Sequence, residues 1–96
     1  MRKQKLKYSK NMERDTILCV TDNNHAGMKA ANLLIDKSIA FKKREQWIPP
    51  HARDRYNGAS QIWVISVNQN NYSLARHALA ELDARSRSRV RIRRYS

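Results

Sequence analysis

The apolar residues fall in short clusters separated by charged stretches, and the spacing within each cluster predicts an element. Ile17, Leu18, Cys19 and Val20 form an uninterrupted run between Asp15 and Asp22. A short run that is apolar at both parities reads as a strand buried on both faces, and the pattern predicts one over 16–21. In "NNHAGMKAANLLIDKS" Ala26, Ala30, Leu33 and Leu34, with Met28 and Ala31 beside them, recur at helical spacing. Asp22 or an Asn at 23–24 is placed to cap that helix, which should end near Ser38. The stretch 39–47 alternates, with Ile39 and Phe41 on one parity and Lys42 and Arg44 on the other, so it reads as a strand with one apolar and one basic face.

"IPPHARDRYNGAS" breaks the alternation. Pro49 and Pro50 lack the amide donor a sheet ladder needs, and Asn57–Gly58 is a turn signal. The chain then enters "QIWVISV", the strongest strand, again apolar at both parities over 61–67. "NQNNYSLARHALAELDARS" follows as an amphipathic helix with Ala75, Ala78, Leu79 and Leu82 in its stripe and Asn70, Asn71 or Ser73 as cap. The last segment, "RVRIRRY", alternates Val90 and Ile92 with Arg89, Arg91 and Arg93, predicting a strand over 89–95.

The predicted order is β-α-β-β-α-β. It defines an α+β class of the ferredoxin-like kind: a four-stranded antiparallel sheet with two helices on one face. In that plan the first and third strands are central. The doubly apolar strands fall there, and the alternating basic strands fall at the edges, where charge discourages edge-to-edge pairing. Residues 1–14 carry six basic side chains against Glu13 and show no periodicity, so they read as a flexible basic arm. Residues 15–96 read as a single domain ending in the Arg-rich strand.

Charge changes the picture more than composition does. Twenty Lys and Arg stand against eight Asp and Glu, a formal charge of +12, and the excess concentrates in 1–14, in 37–55 and in 85–96. Clustered positive charge repels itself, and a polyanion relieves that repulsion while releasing counterions, so nucleic acid is the first partner to expect. If both helices cover one side of the sheet, Arg89, Arg91 and Arg93 at one edge and Lys42 and Arg44 at the other border an open face. Trp63 or Ile62 lies at its centre, depending on a parity that the sequence leaves open. Arg53, Arg55 and Tyr56 in the long loop stand ready to close over a ligand. An aromatic between basic borders suits RNA or single-stranded DNA, with bases stacking on Trp63 or Tyr56 and arginines holding phosphates. If Ile62 and Val64 occupy the face instead, it is an apolar patch suited to homodimerisation.

The architecture resembles that of the RNA-recognition motif family, although "GASQIWVISV" offers one Trp with no basic residue before it, and "ILCVTD" has no aromatic. Topology, size and the aspartate in "VTD" resemble the CRISPR-associated Cas2 family, which implies a metal-dependent nuclease with Asp22 in its site. Asp22 also serves as a helix cap, and Glu45 and Asp54 are the only other carboxylates placed to approach it. His25, His51 and His77 are spaced 26 residues apart, and Cys19 sits in a buried run, so no metal site or cofactor is expected. The reading is therefore of a non-enzymatic nucleic-acid-binding protein. An inhibitor or adaptor of phage or mobile-element type, binding an acidic protein, is the alternative. The lone cysteine fits a reducing, cytoplasmic setting, and no stretch approaches the ~20 apolar residues of a membrane span.

Overall fold

The computed structural model describes residues 15–94. The basic arm 1–14, with Tyr8, and the last two residues, Tyr95 and Ser96, lie outside the described residues. Four strands, β1 (Asp15–Thr21), β2 (Lys42–Trp47), β3 (Gln61–Asn68) and β4 (Val90–Ile92), form one sheet in the order β2-β3-β1-β4, with antiparallel neighbours throughout. The doubly apolar β1 and β3 are central; β2 and β4 are edges. Three helices, α1 (Asn24–Asp36), α2 (Tyr72–Leu79) and α3 (Ala84–Ser88), accompany the sheet, so the class is α+β.

Alternation sorts the side chains except at an irregularity of β1 between Ile17 and Cys19, which lets the neighbours Leu18 and Cys19 reach the same core. Leu18, Cys19, Ile65, Val67 and Val90 share one core with Ala26, Ala30 and Leu34 of α1 and Ala75, Ala78 and Leu79 of α2. Ile39, Phe41 and Ile92 pack against this core, partly buried. Leu18, Leu34, Ile65 and Leu79 are fully buried, and each such side chain contributes about 1.5–3 kcal/mol of transfer free energy. Gly27 sets how closely α1 approaches the sheet. A Cβ there would lie 3.2 Å from Thr21 Cγ2 and 3.8 Å from Trp63 Cβ. Asn23 caps α1, its Oδ1 accepting from the Ala26 amide at 2.8 Å. At the other end the Ser38 amide donates to Ile35 O and the Ile39 amide to Leu34 O, with Ser38 left-handed at φ 59. These are the two bonds of a Schellman stop.

Three expectations change. β2 begins at Lys42 rather than 39, because the Schellman turn carries Ile39 and Phe41 into the core as coil. The second helix is divided: a 3-10 turn, Gln69–Asn71, precedes α2, and α2 stops at Leu79. Asp83 then caps a separate short helix, α3, its side chain accepting from the Ser86 amide. Arg89 is therefore the C-cap of a helix and not the first residue of a strand. β4 is correspondingly short, although the Arg93 amide still donates to Leu18 O at 2.8 Å and extends the pairing.

Candidate nucleic-acid interface

The parity of β4 is as the alternation predicts. Val90 and Ile92 turn to the helix core, whereas Arg91 is exposed on the other face, opposite Val20. Pairing continues across the sheet from Val20 to Val64 and from Val64 to Arg44. One rung thus reads Arg91–Val20–Val64–Arg44, with a guanidinium-bearing residue at each end. At ~4.8 Å per strand its ends stand ~14 Å apart. Lys42, one rung along, faces the same way as Arg44 and pairs with Asp15 at 3.2 Å.

The face between these borders is not open along its length. Val20, Ile62 and Val64 are buried beneath Ile48, with Ala52 and Tyr56 packed alongside. The covering segment is a 3-10 helix, Pro50–Tyr56, started by two prolines and ended by Asn57 and Gly58, both at positive φ. It is tied back to the sheet by the Ile48 amide donating to Ser60 O at 2.8 Å and by Arg53 Nε donating to Ile48 O at 3.0 Å. The cause lies in the sequence: Ile62 and Val64 expose apolar surface that would otherwise face water, and Ile48, Ala52 and Tyr56 supply the cover. The loop that was expected to close over a ligand instead closes over the sheet.

Trp63 occupies the opposite parity. It pairs with Thr21 and Glu45 on the helix side, lies against Gly27, and has Lys43 Nζ 5.0 Å from its ring centroid. A ring held there cannot serve as a stacking platform on the face away from the helices. Trp47 is 62% exposed at the end of β2, with the Arg53 guanidinium 5.7 Å from its ring.

At the junction of β1, β4 and the covering segment lies a cleft of about 110 Å³ lined by Thr21, Asp22, Tyr56, Asn57, Arg89 and Arg91, among others. Its arginines are held from behind. Arg91 lies 5.9 Å over the Tyr56 ring. Arg89 Nη2 meets Asp22 Oδ1 at 3.4 Å, while Asn57 Nδ2 donates to Asp22 Oδ2 at 2.9 Å. The buried Thr21 hydroxyl donates to Arg89 O at 2.6 Å and accepts from the Asn23 amide at 3.0 Å, fixing the end of α3 to the end of β1. Ser88 lines the same cleft, its hydroxyl donating to Arg85 O.

Of the residues expected at the site, the structure brings Tyr56, Arg89 and Arg91 together. It sets Lys42 and Arg44 on the far border, Arg53 and Arg55 on the covering segment, Arg93 just past β4, and Trp63 on the other side. Asn57, Ser88 and Thr21 were not anticipated. Asn57–Gly58 signalled a turn, and its Asp22 contact has no sequence signature. Among the described residues no group of three His, Cys, Asp or Glu could hold a metal ion. Burial pushes the Cys19 thiol up to about 12, against a smaller opposing effect of the Arg87 charge, so it stays protonated and unreactive. No described helix is long and apolar enough to cross a membrane. Comparison with protein-family models, curated proteins and solved structures gives no match.

Proposed function

We propose that this protein is a non-catalytic nucleic-acid-binding protein for RNA or single-stranded DNA. It holds the phosphate backbone along the α3–β4 edge rather than stacking bases on its sheet. The observation that carries this reading is the state of the arginines. Arg85, Arg87, Arg89, Arg91, Arg93 and Arg94 are all exposed. Among the described residues only Arg89 of these has an ion pair, and the other pairs engage Lys29, Lys37 and Lys42. Three of these four pairs thus engage lysines, and the guanidiniums of the run other than Arg89, whose planar forks suit phosphate, are left without an acid among the described residues. Basic residues stand on both sides of the ridge formed by 50–56, a course that a flexible single strand can follow and a stiff duplex cannot. The two-fold β-α-β order and the central β1 and β3 support the ferredoxin-like plan as its architecture, and the unpaired, buried Cys19 supports a cytoplasmic setting.

The test is a titration of labelled RNA, single-stranded DNA and duplex DNA at several salt concentrations. Affinity for the single strands should fall steeply, with log K against log salt losing ~0.7 per phosphate neutralised. An affinity indifferent to salt would sink the reading. A protein partner is the second reading, supported by Met28 and Ile35, 48% and 60% exposed and seven residues apart on α1. It predicts recovery of one acidic protein from a lysate after nuclease treatment.

A further inference from the structure

We infer that the cleft between Tyr56, Arg89 and Arg91 seats one internal phosphodiester of the bound strand and fixes its register, while the other arginines contribute only diffuse attraction. This inference rests on the nucleic-acid reading and deepens it.

Three observations converge on that ligand. The cleft, at about 110 Å³, is well below the size of small-molecule sites, which span ~300–1,000 Å³. A phosphate group fits that volume. Two guanidiniums and the Asp22 carboxylate leave it a single net positive charge, matching the one negative charge of a phosphodiester. A terminal phosphate, approaching two negative charges at neutral pH, would be under-compensated beside that carboxylate. Lastly, its arginines are ordered before any ligand arrives. The Tyr56 ring lies beneath Arg91, Asp22 holds Arg89, and Thr21 anchors the backbone of Arg89. An immobilised side chain that is already placed saves about 0.5–1.5 kcal/mol of ordering cost. Arg85 and Arg87, exposed on α3 without an ion pair among the described residues, have no such support.

The experiment compares two double variants that lose the same charge in the full-length chain, Arg89→Gln with Arg91→Gln and Arg85→Gln with Arg87→Gln. Binding of a labelled single-stranded oligonucleotide is measured across a salt series. The first pair should weaken binding at least ten-fold, the second about three-fold, and the ratio should persist as salt rises because it reflects geometry rather than screening. Tyr56→Leu should weaken binding about three-fold at unchanged charge and salt slope. Tyr56→Phe, which keeps the ring, should recover most of that loss; this comparison keeps the test decisive if Leu disturbs the cover on the sheet. Equal losses from the two arginine pairs would overturn the inference and leave the nucleic-acid reading standing. A wild-type chain that binds no oligonucleotide would overturn both.

Discussion

Two residues outside the arginine run decide how well that run is presented. Thr21 is 3% exposed, and its hydroxyl accepts from the nearby Asn23 amide and donates to the Arg89 carbonyl, 68 positions away in sequence. Thr21→Val keeps the shape and removes both bonds, leaving a donor and an acceptor unsatisfied at ~1–3 kcal/mol. The thermal midpoint should fall by ~5–15 °C, measured by circular dichroism. Oligonucleotide affinity should also drop, since the backbone of Arg89 loses its tether. A midpoint unchanged within error would show that water replaces the hydroxyl. Ser38 presents the opposite case. It holds φ 59 at the position where a Schellman stop favours glycine. A left-handed Ser costs ~1–2 kcal/mol, part of which Gly returns through its freer unfolded chain. Ser38→Gly should therefore stabilise the protein by up to ~1 kcal/mol in urea titration, and a lower midpoint would show that the Ser side chain has a role of its own.

At the scale of elements, what could be read from sequence followed periodicity, and what could not depended on contacts between distant segments. The apolar runs of β1 and β3 identified strands, and the alternation at Val90 and Ile92 identified a strand and its faces, because each pattern is local. The parity of β3 was ambiguous, since Ile62, Trp63, Val64 and Ile65 are apolar on both sides. Only the packing of Ile48 and Ala52 over Ile62 decides it, and that is a tertiary fact. The helix α3 had a local signal that the arginine count obscured: Asp83 stands three residues before the Ser86 amide it caps. That cap makes α3 sensitive to acid. Hydrogen bonds from Ser86, and then from Lys29, hold the Asp83 carboxyl well below the usual carboxylate range. Its folded-state pKa being depressed, the stability it contributes is complete above about pH 4 and fades as pH falls toward the folded value. Asn caps a helix as well as Asp does but does not titrate. Wild type should therefore be more stable than Asp83→Asn at about pH 6, and the difference should narrow progressively between about pH 4 and pH 2. A difference that stays constant over that range in urea titrations would assign the benefit to shape rather than charge.

For the whole molecule the governing quantity is the charge of +12, which acts on folding and on binding with opposite dependence on salt. Like charges repel in the folded chain, so added salt, which shortens the screening length to ~8 Å at physiological strength, should raise the thermal midpoint of the free protein. A bound single strand relieves the same repulsion and adds linkage stabilisation, ~2.7 kcal/mol at a ligand concentration one hundred times Kd. For a chain of this size that is a rise of ~10–20 °C. The two effects separate in one melting series. Salt alone moves the midpoint up, while the increment due to oligonucleotide shrinks, because each counterion released into a saltier solution gains less mixing entropy. A mononucleotide at equal total phosphate supplies the ionic strength and the single phosphate without a strand linking several contacts. It should therefore raise the midpoint no more than matched salt does. If it matches the oligonucleotide instead, the exposed arginines respond to ionic strength alone, and no strand runs along the α3–β4 edge.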